Sequence, residues 1–196
     1  MSGSTNPDRA KSAVAVIPYA GASTIAAKVI AAHVSGYLNL TVETRPPEKI
    51  PPDALDKRRR QYNAATLIQT IESMHRKDCF KVIALFDVDL FTPIFTHVFG
   101  EARQNGRVAL VSLFRLESHM NGSSPPTDRV LERAAKIALH ELGHLLDLLH
   151  CDDDRCLMYF SGSVDTLDQT GFNFCRYCRT ALRRKLRQEG IIDTPT

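Results

Sequence analysis

Apolar and polar positions along this chain alternate between two periods. Residues 13–17, Ala-Val-Ala-Val-Ile, form a short unbroken apolar run of the kind a strand buried on both faces requires, and residues 20–37 follow with helical composition. Residues 40–44 alternate and predict a second strand, which the prolines at 46, 47, 51 and 52 end. Between positions 59 and 74 the apolar residues Tyr62, Leu67, Ile68, Ile71 and Met74 recur at helical spacing, and residues 81–88 predict another buried strand. Residues 95–102 and 107–116 read as two extended segments around the turn formed by Gln104, Asn105 and Gly106, a turn tight enough to predict an antiparallel edge. Strand alternating with helix predicts the α/β class. Neither an internal repeat nor a low-complexity stretch interrupts the pattern.

After a loop at 121–126, Thr127 or Asp128 is placed to cap a further helix. Leu131, Ala135, Ala138, Leu142, Leu145 and Leu149 make its apolar stripe. His140 and His144 lie off that stripe and, four residues apart, project from one side of the helix, one turn from each other.

Composition narrows this picture without redirecting it. With 196 residues and 43% hydrophobic content the chain is expected to build one domain with a well-buried core, in which residues 1–11 form a polar tail. Lys and Arg number 25 against 22 Asp and Glu, a net charge of +3 that gives no grounds for a nucleic-acid partner. No apolar stretch reaches the length needed to span a bilayer and residues 1–9 lack an apolar leader, so we expect no membrane partner and a cytoplasmic location. Oligomeric state is left open.

His140, Glu141, Leu142, Gly143 and His144 spell H-E-x-x-H. In that pattern two imidazoles bind zinc and the intervening carboxylate, here Glu141, reaches the water that attacks the substrate. Hydrolysis of an amide is the chemistry such a site suits. Its bland alternative is a helix with two surface histidines. His150 bears on the choice. In a continuing helix it would lie about 80° round and about 15 Å along the axis from His140, out of reach of a shared metal. The chain must break after about Leu146 for His140, His144 and His150 to make three corners of a tetrahedron with the fourth left for water; otherwise His150 is a helix-end residue.

Four of the five cysteines fall within the last 46 residues: Cys151 and Cys156, then the C-x-x-C pair Cys175 and Cys178. Two close pairs joined by a loop suit a closed four-thiolate structural zinc better than a redox couple. Cys79, alone before an apolar run, reads as a small buried residue. The basic residues of the last helix, Arg179, Arg183, Arg184, Lys185 and Arg187, and the run 57–60 read as solvated faces. A reading from another class treats the four-cysteine lobe and that basic helix as a non-catalytic module that contacts nucleic acid or protein.

The run from His140 to His144, His150-Cys151, Cys156-Leu157-Met158 and Cys175-Arg176-Tyr177-Cys178 together resemble the archaemetzincins, a family of metzincin-type zinc metalloproteases. The resemblance is specific from position 140 to 178 and compatible in pattern before it. It implies His140, His144 and His150 as ligands of a catalytic zinc, Glu141 as general base and Met158 as the methionine of the turn beneath the metal. It also implies Cys151, Cys156, Cys175 and Cys178 as ligands of a second, structural zinc, so two Zn2+ per chain, and a peptide or protein substrate. The implied fold is metzincin-like: a twisted, mixed, mostly parallel sheet with one antiparallel edge strand above the cleft, an active-site helix and a zinc-stapled C-terminal lobe over residues 151–196. One position departs from the pattern. Metzincins carry Gly where this chain has Asp147, so either Asp147 adopts the left-handed conformation or its carboxylate faces the metal and competes with His150.

Overall fold

The computed structural model describes residues 13–19, 21–75, 79–116 and 127–192; the expected polar tail and the loop at 121–126 lie outside them. The first apolar run forms β1 (Val14–Pro18), buried at every position. Helix α1 (Thr24–Leu38) begins four residues later than the composition predicts. Gly21 turns the chain with φ +83° and the Ser23 side chain then accepts the Ala26 N–H at 3.2 Å, fixing the start. Asn39, with φ 54°, ends the helix and leads into β2 (Val42–Thr44), which pairs parallel to β1.

The predicted helix at 59–74 is shorter: α2 spans Ala64–Met74. Asn63 accepts the Thr66 N–H and sets its start, while the residues before it pair into a small sheet of β3 (Leu55–Asp56), β4 (Gln61–Asn63) and β6 (Leu90–Phe91). Those strands are too short for periodicity to reveal. Strand β5 (Lys81–Phe86) follows α2, and β7 (Gly100–Ala102) and β8 (Val108–Ser112) form the predicted antiparallel pair, shorter than the segments expected at 95–102 and 107–116. The main sheet has the order β2-β1-β5-β8-β7, with every pairing parallel except β7 to β8.

Alternate residues of the central strands feed two cores. Val14, Val16, Ile83, Leu85, Ala109 and Val111 face α1 and the long helix α3 (Thr127–Leu145), whereas Ala15, Ile17, Val82, Ala84, Phe86 and Leu110 face α2. A sheet covered on both faces is why its strands read as unbroken apolar runs. Thr127 and Asp128 both stand inside the first turn of α3 and so are not its cap. Two short helices complete the chain, α4 (Val164–Gln169) and α5 (Arg176–Gln188), and Leu167, Leu182 and Leu186 join the same core as α3. Among the described residues no helix is long and apolar enough to cross a membrane.

Candidate active site and metal centres

The end of α3 creates the first centre. After Leu145 the Asp147 N–H donates to His144 O at 3.0 Å and the Leu148 N–H to Gly143 O at 2.9 Å, the paired bonds of a left-handed helix stop. Asp147 takes the left-handed residue's place with φ 68°, where glycine is usual and a short polar side chain is the next best occupant. Its exposed carboxylate accepts from Gln104 Nε2 at 3.2 Å and does not belong to the histidine group, so the expected alternative of a competing metal ligand is set aside. Leu149, expected on the buried stripe, is 67% exposed because the stop turns it out of the helix.

The stop swings His150 back towards α3, and the ring atoms of His140, His144 and His150 come within 4.8 Å of one another. His140 Nδ1 donates to Leu157 O and His144 Nδ1 to Leu148 O, each at 2.8 Å; a carbonyl can only accept, so both Nδ1 atoms carry the proton. Their Nε2 atoms therefore present lone pairs to each other at 3.1 Å, an arrangement that calls for a cation between them. Burial, reinforced by the neighbouring histidines, pushes the His140 pKa down to about 4, and burial lowers those of His144 and His150 as well. Neutral imidazoles converging on one point are a donor set that fits zinc.

Glu141 sits beside them beneath the edge strand. Gly100 of β7 makes room for it: a Cβ there would come within 2.7 Å of Glu141 Oε1 and of Ile137 Cγ2. Burial, with Glu101 adding to it, raises the Glu141 pKa well above the usual carboxylate range. Under the helix, Met158 is wholly buried and its sulfur fills the space that a side chain on Gly143 would take. The cleft, about 620 Å³, runs between β7 and the segment after Met158, with Phe160 5.2 Å from His150 and 6.0 Å from Phe95 between ring centroids. The Arg133 guanidinium holds that segment to α3 by donating to both Asp168 oxygens at 2.8 and 2.7 Å.

The second centre begins at the next residue. Sγ atoms of Cys151, Cys156, Cys175 and Cys178 lie within 4.8 Å of one another, with Cys151 and Cys175 3.8 Å apart. Cys175 opens α5, its N–H donating to Cys156 Sγ at 3.3 Å and its own sulfur accepting the Cys178 N–H at 3.5 Å. Burial raises the Cys175 pKa, but the hydrogen bonds from Cys178 and Cys151 more than offset it, so this thiol is held below its ordinary value. Cys79 is buried elsewhere, in the core beneath α2.

The structure thus gathers every site residue expected from sequence into two groups. Sequence reading missed Gly100, whose role depends on a close approach from another element, and Lys136, which lines the cleft one turn before His140. Its spacing of four from His140 was the available signal.

Comparison with known proteins agrees with this geometry. Residues 42–184 match the model of peptidase family M54. An archaemetzincin of Methanopyrus kandleri is 39% identical over 158 residues, 81% of this chain and 86% of that protein, and one of Methanocaldococcus jannaschii is 35% identical over 149 residues, 76% and 79% of the two. The crystal structure of the M. kandleri archaemetzincin superposes with a TM-score of 0.79 at 35% identity, covering 91% of this chain and 97% of that one. A zinc-dependent peptidase from Methanocorpusculum labreanum gives a TM-score of 0.79 at 25% identity, covering 86% and 99%.

Proposed function

Since this chain belongs to peptidase family M54, the archaemetzincins, and is a metzincin-type zinc metallopeptidase, we propose that it hydrolyses peptide bonds at the His140–His144–His150 centre with Glu141 as general base. The convergence of the three imidazoles with Glu141 on the cleft floor carries this reading. His140, His144 and His150 would hold the zinc, which when bound would supply a Lewis acid for the substrate carbonyl and for water. The backbone carbonyls of Leu157 and Leu148 fix the tautomer and direction of His140 and His144. Glu141, buried in the space that Gly100 leaves open, accepts the proton of the attacking water and delivers it to the leaving amine. A peptide lying extended along the outer edge of β7 brings its carbonyl over this floor by adding a strand to the sheet.

We assign Cys151, Cys156, Cys175 and Cys178 to a structural zinc. Cys156 and its neighbours Leu157 and Met158 belong to the core that includes α3, so this centre reads as a staple on the catalytic cleft and not as an independent binding module. The test is Glu141→Gln, which removes the base without removing a ligand. Zinc content is expected to stay at the wild-type value while peptide cleavage falls by roughly 10²–10⁴-fold. Activity within about tenfold of wild type overturns the role given to Glu141.

A further inference from the structure

Lys136 is the cleft residue that hydrolysis, as described above, leaves without a task. It precedes His140 by one turn on the same side of α3, and only 3% of its side chain is exposed. Its ammonium donates to Glu132 Oε1 at 2.8 Å and to Leu167 O at 3.3 Å, and lies 5.5 Å from the centre of the Phe172 ring. An ammonium has three donors, and among the described residues two of them have hydrogen-bond partners. Among the described residues its ionic partner is Glu132, which is 52% exposed and is not part of the cleft lining. A cation so withdrawn from water acts on an anion entering the cleft through a low dielectric, where a charge pair is strongest.

The flank on which Lys136 lies follows from the chemistry. Glu141 hands its proton to the leaving amine, so the leaving half of the substrate lies on the side of Glu141. Ile137 and Glu141 both lie beneath Gly100, and Lys136 stands next to Ile137 one turn before His140, whereas His144 and His150 follow Glu141 along the chain. The cleft that Lys136 lines is also lined by Ser161, Gly162, Leu167 and Thr170. Thr170 Oγ1 donates to Thr166 O at 2.9 Å, so the 3.4 Å contact from Ser161 Oγ to Thr170 Oγ1 is donated by Ser161, a long bond that a better acceptor in the cleft can replace. An ammonium and a hydroxyl lining one cleft are donors suited to the oxygens of a carboxylate.

We propose that Lys136 recognises a carboxylate on the leaving-group side of the scissile bond, either the side chain of an Asp or Glu immediately after it or the free C-terminus of a peptide that ends there. This specificity rests on the hydrolytic reading of the histidine centre. It differs from a merely structural role, in which Lys136 only ties Leu167 O and Glu132 together, because that role leaves the preference between acidic and neutral substrates unmoved.

The experiment uses zinc-loaded protein, wild type and the variants Lys136→Gln, which keeps donors for Leu167 O without the charge, and Lys136→Met. Peptides differ only after the scissile bond, Glu against Gln, and each Gln peptide is made ending at that residue as free acid and as amide. Wild type is expected to favour one acidic form by at least about tenfold in kcat/KM, the Glu/Gln ratio reporting a side chain and the acid/amide ratio a C-terminus, and both variants lose that ratio. In a second arm, calorimetry compares glutarate with its monoamide glutaramate. Glutarate is expected to bind wild type at least about tenfold more tightly, and the difference to vanish in both variants. Equal binding of the two probes by wild type, or a preference that Lys136→Gln retains, overturns the proposal. If wild type cleaves no peptide, the hydrolytic reading fails and the glutarate arm alone decides Lys136; if it cleaves acidic and neutral peptides alike, hydrolysis stands and the specificity falls.

Discussion

His150 and Cys151 are neighbours in the chain, yet they serve centres built on opposite rules. The histidine centre has three ligand residues, opens onto a cleft and includes the exposed His150; the cysteine centre has four, among them the buried Cys156, and lies within the packing of the C-terminal lobe. Three protein ligands leave a coordination position for substrate and water, whereas four thiolates close the shell. On the proposed reading, ligand count and exposure divide one short stretch of chain between chemistry and stability.

The largest effect that can break this division is loss of a thiolate. Zinc binding in small structural modules is worth about 10–16 kcal/mol, and Cys156→Ser forfeits a substantial part of it at a buried position. We expect the variant to lose one zinc per chain and its cooperative thermal transition together; a normal transition with one zinc missing would place the stability elsewhere. Gly100→Ala acts on the other centre. Its new Cβ crowds Glu141 Oε1 and Ile137, so cleavage should fall by at least about tenfold with both zincs retained, as checked by kinetics beside a metal count.

Between the two lies the bond that holds the cleft wall. Asp168→Asn leaves the Arg133 guanidinium, 1% exposed, without its anion, at a cost of roughly 3 kcal/mol in a denaturant titration. The Arg133 hydrogen bond holds the Asp168 pKa below its ordinary value. A carboxylate whose folded pKa is lowered contributes stability that is complete above its unfolded pKa, about 3.9, and is lost as pH falls through the lower folded value. Wild-type stability should therefore decline below about pH 5 more steeply than that of Asp168→Asn. The smallest effect concerns Asp147. Relief of its left-handed conformation makes Asp147→Gly neutral to about 1 kcal/mol more stable, with zinc affinity at the histidine centre preserved or raised. A large loss of zinc in that variant would make Asp147 part of the centre.

Much of this was legible in the sequence where one local rule decides. The spacing of His140 and His144, the two cysteine pairs, the buried strands at 13–17 and 81–88 and the turn at Gln104 to Gly106 all follow from periodicity or from residues close in the chain. The helix stop at Asp147 was an expectation that rested on His150, and the paired bonds to Gly143 and His144 are its physical form. Illegible features were those made by distant partners. Strand β4 exists because Asp89 O accepts the Tyr62 N–H and the Gln61 amide donates to Asp89, and nothing near residue 61 announces position 89. Leu149 fitted the apolar stripe and failed it only because the helix ends first. Gly100 and Lys136 look unremarkable until β7 and the 161–170 wall are brought over α3.

The division between the two centres is tested most directly by graded chelation, with zinc per chain, peptide cleavage and circular dichroism followed on one sample. We expect two zincs at the start. The first should leave under mild chelation and take all cleavage with it while the helical signal is unchanged, and the second should leave only as the protein unfolds. Loss of both zincs in one step, or cleavage that survives removal of the first, would contradict the account.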